Sequence, residues 1–145
     1  MYAFHVAIHA RLASTRNGDV QRLASHDVAT LHVPTGETCA ALPVTFEAAV
    51  ERLARLPRMF CEPDGSFVWV AETNSPPWQV DGTLYDGHGR LAYVELKGNC
   101  PEANFNLLLQ ACGWPETMLT FQLVRQGVFL NEASFREHAR CAAEK

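Results

Sequence analysis

Apolar and polar residues alternate near the start of the chain, in residues 4–9, with the large apolar side chains at even positions. A period of two residues is typical of a strand that is buried on one face. Residues 20–23 and 28–33 have the composition of two further short strands, and Asn17-Gly18 before them is a turn sequence. The first third of the chain is therefore predicted to be a small antiparallel β-meander.

Three later segments repeat apolar residues at helical spacing and begin with residues suited to a helix start. They are 45–56, 101–112 and 132–142. Thr45 and Asn131 can accept a hydrogen bond from a backbone N–H of the first turn, and Pro101 suits the first helical position. These segments are predicted to be the helices of the protein.

Two hairpins are predicted between the first and second helices. In the first, residues 59–62 and 67–72 flank Pro63-Asp64-Gly65-Ser66, a turn sequence. In the second, residues 78–85 and 91–96 flank Gly87-His88-Gly89. The sequence thus predicts an α+β fold with a mixed or mainly antiparallel sheet. A length of 145 residues fits one domain spanning residues 1–145.

The second hairpin carries its large apolar side chains at even positions, so we expect these to face the core and residues of equal parity to pair across the strands. A turn centred on His88 then places Asp81 opposite Glu95 and Gln79 opposite Lys97. The two carboxylates would lie about 5 Å apart at the backbone, with the lysine roughly 6.6 Å along the strand. The predicted register therefore concentrates three charged groups on the polar face.

Opposed carboxylates repel each other unless a cation neutralises them. Mg²⁺ is held by one or two carboxylates together with waters and substrate phosphate oxygens, and a lysine nearby can orient the attacking water. The predicted cofactor is therefore Mg²⁺ or Mn²⁺ on Asp81 and Glu95, with Lys97 as a catalytic residue. The predicted reaction is phosphodiester hydrolysis.

At these residues the sequence resembles the PD-(D/E)xK nuclease superfamily, with Asp81 on one strand and Glu95-Leu96-Lys97 on the next. The predicted order of helix, strands, helix and strand in residues 45–125 is also similar. The resemblance implies that Glu51 or Glu47 of the first helix joins the metal site and that Gln110 of the second helix supports catalysis. It also implies nucleic acid as the partner.

A second hypothesis is a non-catalytic domain that binds a protein or another ligand. Tyr85 and Tyr93 share the polar face of the hairpin with the charged residues, and Trp78 is close in sequence. Exposed aromatic residues on a sheet can stack on bases or anchor a protein partner. In this interpretation the charged residues are an ordinary solvated sheet face.

Composition and charge narrow the function classes. A net charge of −4 argues against a broad phosphate-binding surface, although a local basic groove is compatible with it. The five cysteines are scattered without a Cys-x-x-Cys pair, which predicts free thiols. Residues 1–10 lack a basic region followed by a continuous apolar core, and no stretch reaches the roughly 20 apolar residues of a membrane span, so a cytoplasmic location is expected. Cys100, just before a predicted helix, could act as a nucleophile with His88 as its base.

Overall fold

The structure, a computed structural model, describes residues 1–34 and 40–144. Within these residues the chain forms nine strands and three helices. In chain order they are β1 (Tyr2–Ala10), β2 (Arg16–Leu23), β3 (His26–His32), α1 (Phe46–Ala54), β4 (Met59–Cys61), β5 (Ser66–Val70), β6 (Gln79–Gly87), β7 (Arg90–Cys100), α2 (Glu102–Ala111), β8 (Leu119–Leu123), β9 (Val128–Leu130) and α3 (Glu132–Ala143). The predicted α+β class is confirmed.

The nine strands of the described part form one antiparallel sheet in the order β2-β3-β9-β8-β1-β7-β6-β5-β4. The first strand lies at its centre, between β8 and β7. Strands β2 and β3 pair with each other, but neither pairs with β1, so the predicted N-terminal meander is wrong in this respect. The contacts that place β1 join residues roughly 90 positions apart in its pairing with β7 and more than 100 apart in its pairing with β8, and local sequence patterns do not encode such contacts.

The predicted turn at Asn17-Gly18 is also corrected, because both residues lie within β2. The register shifts between Asn17 and Val20, which is a β-bulge. A Cβ on Gly18 would lie 2.9 Å from the hydroxyl of Thr30, so the close approach of the two strands explains the glycine. The chain turns instead at Ala24, whose φ of 54° is left-handed.

All three helices pack on the same face of the sheet. On the central strands this face carries the even-numbered apolar residues, including Val6, Val80 and Leu96, all of which are buried. In the core, Leu53 of α1 and Phe105 of α2 join them, and Phe135 of α3 stacks on Phe105. The predicted alternation of a buried and a polar face is therefore confirmed for β6 and β7. In β1 it is not, because residues 6–10 are all buried, including Ala7 and His9 on the other face.

The helices begin and end within two residues of the predicted bounds. The side chain of Thr45 accepts a hydrogen bond from the N–H of Ala48 at 3.0 Å, and Asn131 accepts one from Ser134 at 2.8 Å. Both are ordinary N-caps. None of the described helices is both long and apolar enough to cross a membrane.

A buried arginine joins the helices to the central strand. The Arg136 guanidinium on α3 donates to the Tyr2 hydroxyl at 3.1 Å, to Asn106 of α2 at 2.8 Å and to Glu132 at 3.0 Å. Five donors in a planar fork suit one group to several partners on different elements. Arg136 thereby connects α2, α3 and β1.

Candidate functional site

The β6–β7 hairpin has a different register from the predicted one. Asp81 lies opposite Lys97, and Glu95 lies opposite Thr83, so the prediction that Asp81 faces Glu95 is wrong. The ladder shifts at a bulge between Tyr85 and Asp86. The turn consists of His88 and Gly89, with φ of 55° and 80°, which is the two-residue hairpin turn with two left-handed residues.

This register separates the two carboxylates that the metal hypothesis needs. Asp81 and Glu95 become diagonal neighbours, about 7–8 Å apart at the backbone. The Asp81 carboxylate accepts a hydrogen bond from Gln79 at 2.9 Å. The Glu95 carboxylate is bound to the ring of His5 on β1, also at 2.9 Å. Each therefore has a neutral or cationic neighbour instead of the other carboxylate.

The supporting residues lie on the opposite side of the sheet. Asp81, Glu95 and Lys97 are on the face that carries the odd-numbered residues of β6 and β7, whereas α1 and α2, which carry Glu51 and Gln110, pack on the even-numbered face. Glu51 is exposed and forms an ion pair with Arg55. Glu47 is also exposed.

The described residues bring no three His, Cys, Asp or Glu side chains close enough together to hold a metal ion. The catalytic roles given to Asp81, Glu95, Lys97 and Gln110, and the binding of Mg²⁺ or Mn²⁺, stay predictions.

The cysteine nucleophile is excluded by its surroundings. Cys100 is fully buried, and burial raises the pKa of its thiol to about 12, opposite to what a nucleophile needs. His88 lies in the hairpin turn, roughly 35 Å away along the length of β7. The four described cysteines, Cys61, Cys100, Cys112 and Cys141, are all free thiols, as predicted, and Cys39 is outside the described residues.

A row of neighbouring aromatic rings crosses the odd-numbered face. Tyr85 and Tyr93 are directly opposite each other on β6 and β7, with ring centroids 4.4 Å apart and nearly parallel planes. Tyr93 also stacks on His9 of β1 at 5.1 Å, and His9 lies 6.3 Å from Phe129 of β9. We call these four residues the aromatic row.

Burial favours the uncharged forms of His9 and Tyr93 in the aromatic row. His9 is only 8% exposed, and burial lowers the pKa of its imidazole although a hydrogen bond with Gln122 opposes this. The pKa of the Tyr93 phenol is raised, chiefly by burial and then by the phenol of Tyr85 and the carboxylate of Glu95. Both shifts favour the uncharged form, so His9 and Tyr93 add no charge to this face of the sheet at neutral pH.

Trp78 does not belong to this row. Its ring packs edge-on against Trp69 at 5.0 Å, and Trp69 is buried on the side of the sheet where the helices lie. Trp78 is at an even-numbered position just before β6, so it lies on the same face of the sheet as the even-numbered residues of that strand. The expectation that it joins Tyr85 and Tyr93 in one binding surface is therefore wrong.

Two members of the aromatic row, His9 and Phe129, did not emerge from sequence patterns. His9 does lie on a strand with His5, as predicted, but its neighbours come from the distant β7 and β9. The alternation of side chains along β1 indicates on which face His9 lies, but nothing in the local sequence indicates which residues His9 contacts.

Comparison of the chain with protein-family models, with curated proteins and with solved structures found no match. The resemblance to the PD-(D/E)xK superfamily stays a prediction.

Proposed function

We propose that this chain is a non-catalytic binding domain that holds a protein partner on the odd-numbered sheet face, centred on Tyr85 and Tyr93. The observation that carries the proposal is the stack of these two rings at 4.4 Å on a face away from all three helices. Tyrosine is enriched among the residues that contribute most to protein–protein affinity.

The aromatic row is suited to binding because its rings are ordered before any partner arrives. Tyr85 supports Tyr93, and the buried His9 supports Tyr93 from the other side. Immobilising a free side chain on association costs about 0.5–1.5 kcal/mol, and a stacked ring has already lost much of that freedom. Among the described residues neither phenol hydroxyl has a hydrogen-bond partner, which leaves both hydroxyls for a ligand.

Polar and aliphatic residues surround the row in the arrangement expected of an interface. Thr83, Glu95, Asp81 and Lys97 continue the same face along β6 and β7. An interface typically has an apolar centre within a polar rim. Farther out, at the sheet edge, Phe60 is 58% exposed and is paired with Val68, which in turn lies opposite Asp81. This gives a second apolar contact point on the same face.

The test is site-specific photocrosslinking. A photoreactive phenylalanine analogue replaces Tyr85 in the full chain, and Val20, an apolar residue that is 65% exposed on β2, is replaced in the matched control. We expect a discrete crosslinked protein at position 85 and none at position 20. The captured protein is then purified and titrated against the native chain and Tyr85→Ser/Tyr93→Ser.

A loss of affinity of tenfold or more in the double variant would support the proposal, and equal affinity would overturn it. Crosslinking to nucleic acid instead of protein would also overturn it, since stacked tyrosines can hold bases. Crosslinking between two copies of this chain would identify the partner as a second copy, and the same titration then becomes a measurement of dimer dissociation.

A further inference from the structure

The sheet has a gap beside the first residues of β1. Strand β8 ends at Leu123, which lies opposite Val6, and the N–H of Val124 makes one more hydrogen bond, to the carbonyl of His5. Before His5, β1 continues to pair with β7, but none of the described strands pairs with its other side. A cavity of about 420 Å³ occupies this gap, between the end of β8 and the last turns of α3.

Basic and amide side chains line this cavity. Lys97 of β7, His5 of β1 and Arg125 after β8 stand on three neighbouring chain segments, and His138 of α3 completes the basic set. Asn99 and Gln126 add two amides. No carboxylate is among the described lining residues, although the whole chain carries a net charge of −4. The cavity is thus a local basic site on an acidic protein.

Two of these cations form no close ion pair in the described part of the chain. Among the described residues neither Lys97 nor Arg125 has an ion-pair partner. His5, by contrast, is bound to Glu95, and His138 is bound to His26. The charge available to a ligand is therefore at most two, from a lysine on β7 that lies across the ladder from Asp81 and an arginine in the turn after β8. This matches a dianion.

The backbone adds a donor on the same side. In an antiparallel strand the N–H and C=O groups of alternate residues point the same way. Since His5 directs its carbonyl toward Val124, Ala3 directs its backbone groups into the gap, where Ala3 lines the cavity. Backbone N–H groups combined with an arginine and a lysine are a common setting for phosphate.

The cavity also has an apolar wall, which consists of Phe4, Leu123 and Ala142. Its volume lies within the range of about 300–1,000 Å³ that is usual for small-molecule sites. An inorganic ion alone would leave this wall without contacts. We therefore expect the ligand to have an apolar organic part, attached to its anionic group, that contacts this wall.

We propose that this cavity binds a small phosphate monoester, with the phosphate between Lys97 and Arg125 and an apolar organic body against Phe4 and Leu123. The site contains none of the four residues of the aromatic row, although it shares Lys97 with the polar rim of the proposed protein interface. It requires no chemical step and no metal.

The test is calorimetric titration of the native chain at pH 7.5 with phenyl phosphate, inorganic phosphate and phenyl sulfate. We expect phenyl phosphate to bind with a dissociation constant in the millimolar range or below, tighter than either of the other probes. Lys97→Gln and Arg125→Gln should each weaken binding about tenfold, as for the loss of one hydrogen bond to a charged group. Both side chains are exposed, so these variants should fold normally.

The matched control is Arg90→Gln, which removes an exposed arginine at the far end of β7 and should leave affinity unchanged. The absence of saturable binding of phenyl phosphate to the native chain would overturn the proposal. So would equal weakening by Arg90→Gln, which would indicate nonspecific attraction. Equal affinity for phenyl sulfate, a monoanion, would overturn the assignment to a phosphate ester.

Discussion

Tyr85 and Tyr93 stack across β6 and β7 at a ring-centroid distance of 4.4 Å, and this contact depends on the bulge that follows Tyr85. Without the bulge the pairing residues of the hairpin would be shifted, and the two rings would not be opposite each other. Two half-buried tyrosines in direct register contribute both to sheet stability and to the shape of the exposed face.

The first prediction concerns the energy of this stack. We expect a double-mutant cycle of Tyr85→Ala and Tyr93→Ala, followed by urea unfolding, to give a coupling energy of about 0.5–1.5 kcal/mol. A matched cycle on Thr83 and Glu95, the neighbouring pair of the same ladder, should give a smaller coupling. Coupling near zero for the tyrosines would contradict the stacked arrangement.

The second prediction concerns His9 and pH. Because burial lowers the pKa of His9 in the folded protein, the unfolded chain binds more protons below the ordinary pKa of 6.5. The free energy of unfolding should therefore fall as the pH is lowered from 7.5 through 6.5. Urea unfolding at several pH values should show a weaker fall for His9→Gln and an unchanged one for His32→Gln, an exposed histidine. An equal fall in all three proteins would exclude His9 as its cause.

The faces of the strands were predictable from sequence, whereas their neighbours were not. Parity along β6 and β7 placed Val80 and Leu96 in the core and Asp81 and Lys97 on the other face, because side chains alternate along any strand. Helix bounds were also predictable from local sequence, because a capping residue such as Thr45 binds a backbone N–H only three residues away.

Register and long-range pairing depend on information that local patterns lack. The bulge after Tyr85 shifted the expected partner of Asp81 from Glu95 to Lys97. The hydrogen bond between His5 and Glu95 joins residues 90 positions apart. The candidate site was therefore found in part: Tyr85 and Tyr93 were identified from the hairpin alone, but His9 and Phe129 required the order of the strands.

The third prediction concerns metal. Since Glu95 is bound to His5 and Asp81 faces Lys97, we expect titration with Mn²⁺ to give the same small heat for the native chain and for Glu95→Gln. Glu72→Gln, an exposed residue in another part of the chain, serves as the control. Saturable binding that is lost in Glu95→Gln and kept in Glu72→Gln would support the nuclease-like hypothesis over the binding domain.

The fourth prediction concerns the buried thiols. Burial raises the pKa of both Cys100 and Cys112 from 9.0 to about 12. Between these values the unfolded chain loses two protons that the folded chain keeps, so stability should fall as the pH rises above 9. If both thiols contribute fully, the free energy of unfolding falls by at most about 2.7 kcal/mol per pH unit. Unfolding of Cys100→Ala/Cys112→Ala should show a shallower dependence, and identical slopes would contradict the prediction.

The fifth prediction concerns Arg136, whose side chain is 11% exposed and bonds to Tyr2, Asn106 and Glu132. Arg136→Met should lower the free energy of unfolding by about 2–4 kcal/mol, because a buried network loses its shared donor and its partners are left unsatisfied. The matched change Arg55→Met removes an ion pair with Glu51 in which both side chains are about 70% exposed, and should cost less than about 0.5 kcal/mol. Urea unfolding of the two variants measures the difference. Equal losses would show that Arg136 acts as an ordinary surface charge and that α2, α3 and β1 are joined by apolar packing alone.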